Sequence, residues 1–114
     1  FKKSFQILEK YNKKFIFPVC EFTHPIERAC TLSKGNKKIN FINKNNANKN
    51  TQFFEKKYHD AGQFYLAKRS TWLRSTSIHN NAIGHQIPKY RAVDIDDNED
   101  WLKAKALFKG LKFL

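Results

Sequence analysis

Two carboxylates stand two residues apart at Asp94-Ile95-Asp96, followed at once by Asp97-Asn98-Glu99-Asp100-Trp101. In an extended segment, residues i and i+2 share a face. Such a pair can hold a hard divalent cation such as Mg2+, which prefers oxygen ligands and keeps several waters or phosphate oxygens. The alternative is structural: acidic residues ahead of a helix cap it and complement its positive N-terminus. Asp97, with Asp100 three residues on, has the spacing of a variant capping box and is assigned that role. Asp94 and Asp96 are the candidates for the metal.

A second cluster of side chains with chemical potential lies upstream in His59-Asp60-Ala61-Gly62-Gln63-Phe64-Tyr65. His59 and Asp60 do not read as an acid–base pair, because adjacent strand residues point to opposite faces. Gln63 and Tyr65 would share one face of a strand over residues 61–67, where they can line a ligand pocket or a subunit interface; Tyr65 can equally be core packing. Arg91 can donate a bidentate pair of hydrogen bonds to a carboxylate or phosphate, or simply pair with a nearby acid. His24, His79 and His85 carry no usable signal.

These residues need a scaffold. Phe1, Phe5 and Leu8 recur at helical spacing among lysines and predict an amphipathic helix ending near Asn12. Residues 15–22 are densely apolar around Pro18 and predict a strand, with the proline at a bulge or edge. Residues 25–32 are ambiguous between helix and strand; Gly35-Asn36 signals a turn and residues 38–42 a short strand. Residues 43–50 read as a polar loop without chemistry. After the strand at 61–67, in which Gly62 suggests close backbone approach, a short helix or turn over 68–73 is anchored by Trp72. Asn80-Asn81 and Gly84 suggest a variable loop. A strand approaching Asp96 then feeds a helix from about Asn98, with Trp101, Ala104, Leu107 or Phe108, and Leu111 facing inward. Strands alternating with helices predict an α/β or α+β class, in which acidic residues at a strand's carboxyl end stand where ligands bind.

Length and composition bound the rest. The 114 residues make one domain or part of one. With 40% hydrophobic and 15% aromatic residues, the chain can form a core and is not a disordered tail. The net charge of +12 raises nucleic acid or an anionic membrane as partners. The lysines, however, travel with asparagines, as in Asn43-Lys44-Asn45-Asn46, a pairing that AT-rich coding produces, and part of the charge suits substrates bearing phosphate and carboxylate. Cys20 and Cys30 match neither a disulfide scaffold nor a zinc spacing and are expected to be ordinary buried or half-buried thiols in a reducing compartment. No apolar run approaches the roughly 20 residues that span a bilayer. The chain starts at Phe1 rather than Met, inside an expected helix, so it is expected to be a fragment.

Taken together, His-Asp-Ala-Gly-Gln-Phe-Tyr at 59–65, Pro-Lys-Tyr-Arg-Ala-Val-Asp-Ile-Asp at 88–96 and Glu-Asp-Trp at 99–101 resemble the acylneuraminate cytidylyltransferases, most closely the pseudaminic acid group. Weaker matches are Cys20-Glu21-Phe22 through Pro25-Ile26-Glu27-Arg28-Ala29, and Thr51-Gln52. The resemblance covers nearly all of residues 1–114 but only the C-terminal half of the family's length. It implies a Rossmann-like α/β nucleotidyltransferase domain with a dimerisation insertion at residues 25–58. It also implies CTP and a nine-carbon sugar acid as substrates, a homodimer, a bacterial cytoplasmic setting, and Mg2+ bound by Asp94 and Asp96, Asp96 above all. Gln63, Tyr65 and Arg91 become substrate-binding candidates. The family's loop that cradles CTP has no counterpart here, which predicts that this chain alone is inactive; Leu66 and Lys89 replace the group's usual Trp and Arg. The rival reading is a basic, non-enzymatic nucleic-acid-binding domain, with Phe41, Phe53 and Phe54 among lysines to stack bases. No RRM-, KH- or helix-turn-helix-like pattern supports it. Phe41, and at least one of Phe53 and Phe54, are expected to be exposed in a single chain, as a partner surface requires.

Overall fold

A computed structural model describes residues 1–74 and 77–113. Helix α1 (Lys2–Lys10) is followed by strand β1 (Phe15–Glu21). Short strands β2 (Cys30–Leu32), β3 (Ile39–Phe41) and β4 (Tyr58–Asp60) come next, then helix α2 (Arg69–Arg74), strand β5 (Ala82–Gln86) and helix α3 (Asn98–Leu111). The class is mixed α/β. The chain divides into two compact units, one of residues 1–20 and 60–114, the other of residues 21–59.

The first unit is organised by β1, whose apolar run Phe15-Ile16-Phe17-Pro18-Val19-Cys20 is buried except at Val19. So unbroken a run suits a strand covered on both faces. β1 is central in the order β4-β1-β5 and runs parallel to β5, with Phe15 opposite Ala82 and Val19 opposite Gln86. Leu8 of α1 completes the buried core, and Trp72 of α2 meets Phe15 edge to face at 4.8 Å, a favoured aromatic geometry.

Several expectations are corrected. Pro18 occupies a central strand, not an edge or bulge. Its missing N–H does no harm, because it faces the side where the neighbouring chain leaves the ladder. The Pro18 carbonyl accepts from the Ala61 N–H, and regular pairing resumes only where Ile16 and Leu66 exchange two hydrogen bonds. Residues 61–67 are therefore a loop with a single bridge at Leu66, not a strand. Gly62 is explained by its φ of +69° and not by close approach, since a Cβ there would meet nothing within 4 Å. The close approach is at Gly84, which lies in β5 and not in a loop; a Cβ would come 3.0 Å from Val19 Cγ2.

Residues 90–96 are not a strand either: a 3-10 turn at Lys89–Arg91 leads through irregular backbone to α3. On α1 the buried positions are Ser4 and Leu8, while Phe5 is exposed and Phe1 stacks on Phe64 at 4.4 Å between ring centroids. No residue of α3 is fully buried; Trp101 is half exposed and Phe108 more so. Asp97 does cap this helix, its Oδ1 accepting the Asp100 N–H at 2.8 Å, while Asp100 Oδ2 accepts the Asp96 N–H at 3.0 Å.

In the second unit β2 and β3 form an antiparallel hairpin, Cys30 opposite Phe41. The ambiguous stretch 25–32 holds both elements, a 3-10 turn at Ile26–Arg28 and then β2. The polar 43–50 segment contains a 3-10 turn and a structural asparagine: buried Asn46 donates from Nδ2 to the Glu27 carbonyl at 3.1 Å. Lys57 pairs with Glu27 at 3.2 Å. Phe53 is 73% exposed, whereas Phe41 and Phe54 are half-buried, so the expected exposure holds for Phe53 and fails for Phe41. Both cysteines are free; Cys20 is buried and Cys30, against expectation, is exposed. No helix among the described residues is long and apolar enough to cross a membrane.

Candidate functional site

An open cleft of about 940 Å³ lies in the first unit, beyond the carboxyl end of β5. β5 delivers His85 and Gln86 to it, the segment after the strand delivers Tyr90 and Arg91, and Leu107 and Leu111 of α3 supply its apolar wall. Placement outside the carboxyl ends of parallel strands is where α/β sheets bind ligands, because the loops diverge there and leave a crevice. Lys3 and Arg91 give the cleft positive charge.

Two of the expected substrate-binding residues, Gln63 and Arg91, meet here. Gln63 Nε2 donates to the Arg91 carbonyl at 2.6 Å, joining the 61–66 loop to the turn ahead of α3. Tyr65 is not on the cleft wall. Its hydroxyl donates to Asp60 Oδ2 at 2.5 Å, and its ring packs edge-on against Phe17 at 5.3 Å.

Asp60, weighed in the sequence only as a partner for His59, has other partners in the structure. Its Oδ1 accepts the Gly62 N–H at 2.8 Å, and its Oδ2 also lies 2.9 Å from His79 Nε2. Burial opposes ionisation of this carboxyl, but the hydrogen bonds from Tyr65, Gly62 and His79 together outweigh it and hold its pKa below the ordinary aspartate value. The same contact raises the Tyr65 phenol, with burial and the Asp60 charge acting in the same direction. The only clue in the sequence was an acidic residue two positions before a glycine, which is the spacing of an Asx turn. The partnership with His79 left no local trace.

His85 was passed over in the sequence. Its Nδ1 lies 2.9 Å from Oγ of Ser4, a fully buried hydroxyl on α1, and its ring faces the cleft. Burial lowers the His85 pKa, as does the charge of Lys3, so the imidazole is neutral near pH 7.

Asp94 and Asp96 follow Val93, which lines the cleft, and both are exposed. Among the described residues no third acidic, histidine or cysteine side chain completes a metal cluster with them. A Mg2+ ion needs only one or two protein carboxylates when waters and substrate phosphates fill its other positions. Two exposed carboxylates with no partner among the described side chains fit that demand in donor type and availability.

No family model matches the chain. Two curated pseudaminic acid cytidylyltransferases, from Campylobacter jejuni serotype O:23/36 and serotype O:2 strains, are each 32% identical to it over 111 residues. The chain is related to the pseudaminic acid cytidylyltransferases. The match covers 95% of this chain and 47% of each relative, so the chain spans about half the length of the curated relatives it matches. Half-length coverage is what the motifs at 59–65 and 88–96 implied. Relatedness along nearly the whole chain also takes in the cleft and its loops.

Proposed function

We propose that the chain is the C-terminal part of a cytidylyltransferase that joins CMP from CTP to a pseudaminic or sialic-type nonulosonic acid in the bacterial cytoplasm, for flagellin or surface glycosylation. The observation that carries this reading is 32% identity to pseudaminic acid cytidylyltransferases across 95% of the chain. The cleft supports it, because it joins two residues chosen from the motifs, Gln63 and Arg91, beside an apolar wall and a positive rim.

In the proposed reaction the anomeric hydroxyl oxygen of the sugar acid bonds to the α-phosphorus of CTP. The bond from that phosphorus to the bridging oxygen breaks, pyrophosphate leaves with its electron pair, and the hydroxyl gives up its proton. Arg91 and Lys3 would hold the carboxylate or phosphate groups; an Arg fork suits either group by paired hydrogen bonds. Gln63 would complete the sugar pocket, with Tyr65 behind it, its hydroxyl held by Asp60. Asp94 and Asp96 would hold Mg2+, which when bound neutralises charge on the triphosphate and the sugar carboxylate. A Rossmann-like domain fits the parallel β1–β5 pair. Residues 25–58 are the proposed dimerisation insertion, with exposed Ile26, Leu32, Ile39 and Phe53 as the surface for a second copy.

The test is CMP-sugar formation by the full-length enzyme. Asp96→Ala should lower kcat at least about a hundredfold and weaken Mg2+ dependence, with Asp94→Ala less severe. Near-normal rates in a folded Asp96→Ala protein would sink the metal assignment. An inactive full-length protein that binds single-stranded nucleic acid with a steep salt slope, unaffected by CTP, would replace the enzyme reading with the basic-domain one.

A further inference from the structure

One carboxylate gathers the loop that carries Gln63. Asp60 ends β4, and the chain from Ala61 to Tyr65 leaves the ladder before it rejoins β1 at Leu66. Asp60 Oδ1 holds the Gly62 N–H, where the backbone takes a left-handed turn with φ +69°. Asp60 Oδ2 holds the Tyr65 hydroxyl at the other end of the loop and His79 from the segment before β5. Gln63 sits between those two tethers and donates across the cleft to the Arg91 carbonyl. A loop free of sheet pairing loses its order unless something replaces the missing bonds, since fixing each residue costs about 1–2 kcal/mol of backbone entropy. Here a single side chain supplies the replacements.

We propose that Asp60, braced by His79, is a positioning residue that sets the 61–65 loop so that Gln63 meets the sugar acid. This deepens the cytidylyltransferase reading and rests on it for the identity of the substrate. Asp60 does not touch the substrate. It acts through Gln63, so its contribution belongs to binding of the sugar acid and not of CTP. Charge-assisted hydrogen bonds to a carboxylate are stronger than neutral ones, which makes aspartate, not asparagine, the residue for this task.

The experiment is a double-mutant cycle on the full-length enzyme. Asp60→Asn and Gln63→Ala should each raise the KM for the sugar acid about tenfold, leaving the KM for CTP unchanged, and the double variant should be no worse than the worse single one. His79→Ala should show a weaker form of the same effect, and His79→Gln, which keeps a donor, should restore much of it. Additive effects of Asp60→Asn and Gln63→Ala, or equal rises in both KM values, would overturn the assignment. Amide hydrogen exchange supplies a readout independent of catalysis: His79→Ala and Asp60→Asn should speed exchange at Gly62 and Gln63 while leaving α3 unchanged. Unchanged exchange at those amides overturns the clamp even in a fully active enzyme. A protein whose loop exchange responds as expected but which makes no CMP-sugar would instead refute the proposed function.

Discussion

Gly84 of β5 lies against Val19 of β1 with space for a hydrogen and little more: a Cβ would stand 3.0 Å from Val19 Cγ2 and 3.3 Å from Cγ1. The parallel pairing that builds the cleft's floor depends on this fit, because the strand pair sets where His85 and Gln86 emerge. Gly84→Ala gains chain stiffness worth about 0.5–1 kcal/mol but must displace a valine methyl, so the two terms nearly cancel. Gly84→Leu has no such balance and should destabilise the full-length protein by about 1–3 kcal/mol in urea unfolding. Val19→Ala in the same background should recover part of that loss.

Phe15 is the anchor of the first unit, 1% exposed and edge-on to Trp72. Phe15→Ala should cost about 3–5 kcal/mol by chemical denaturation, the range for emptying a buried aromatic site. Phe15→Leu should cost clearly less, since it fills most of the volume and loses mainly the ring contact.

The cap of α3 can be tested in isolation from the cleft. Asp97 Oδ1 satisfies the Asp100 N–H, one of the four orphan donors that begin any helix. Asp97→Ala should destabilise by about 1 kcal/mol, and Asp97→Ser should retain most of the cap. The same measurement on Asp94→Ala should show almost no change, because that side chain has no structural partner among the described residues.

Asp60 gives a pH dependence with a definite sign. Its folded pKa is depressed below the ordinary value of 3.8. The stabilisation is therefore fully present above the unfolded-state value and is lost as pH falls below it and through the lower folded-state value. Between those two values the unfolded chain binds more protons, so stability falls with acid. Asp60→Asn should flatten the acid limb of a Tm-versus-pH profile in that window while lowering the plateau near neutrality. A variant with the wild-type acid limb would show that the carboxylate is not held by its three partners.

The elements with strong periodicity or dense apolar runs were legible: α1, β1 and α3 all lie where the sequence places them. β5 was not, because Ala82-Ile83-Gly84-His85-Gln86 has one strong strand former and a glycine, and only the pairing with β1 makes it a strand. Conversely, Gln63-Phe64-Tyr65-Leu66 has strand-like side chains, yet the Asp60 tethers and the left-handed Gly62 override that preference. Local propensity yields to such tertiary terms routinely. For the site, the motif residues Gln63 and Arg91 were singled out from sequence, but their meeting spans 28 positions and could not be read from spacing. The Asp60–His79 pair spans 19 positions and the Ser4–His85 pair 81, each joining elements with no shared pattern.

Pro18 has a consequence for how the loop above it survives. An ordinary residue at that place would offer an N–H to the segment opposite, and the strand end at Asp60–Ala61 would have a ready template along which to zip forward into the sheet. Zipping would draw Gln63 into the ladder and away from the Arg91 carbonyl it now meets. With no hydrogen to offer, the proline withholds that template at the one step where it would matter. It acts as a stop in the weave, leaving the segment between Ala61 and Leu66 outside the sheet.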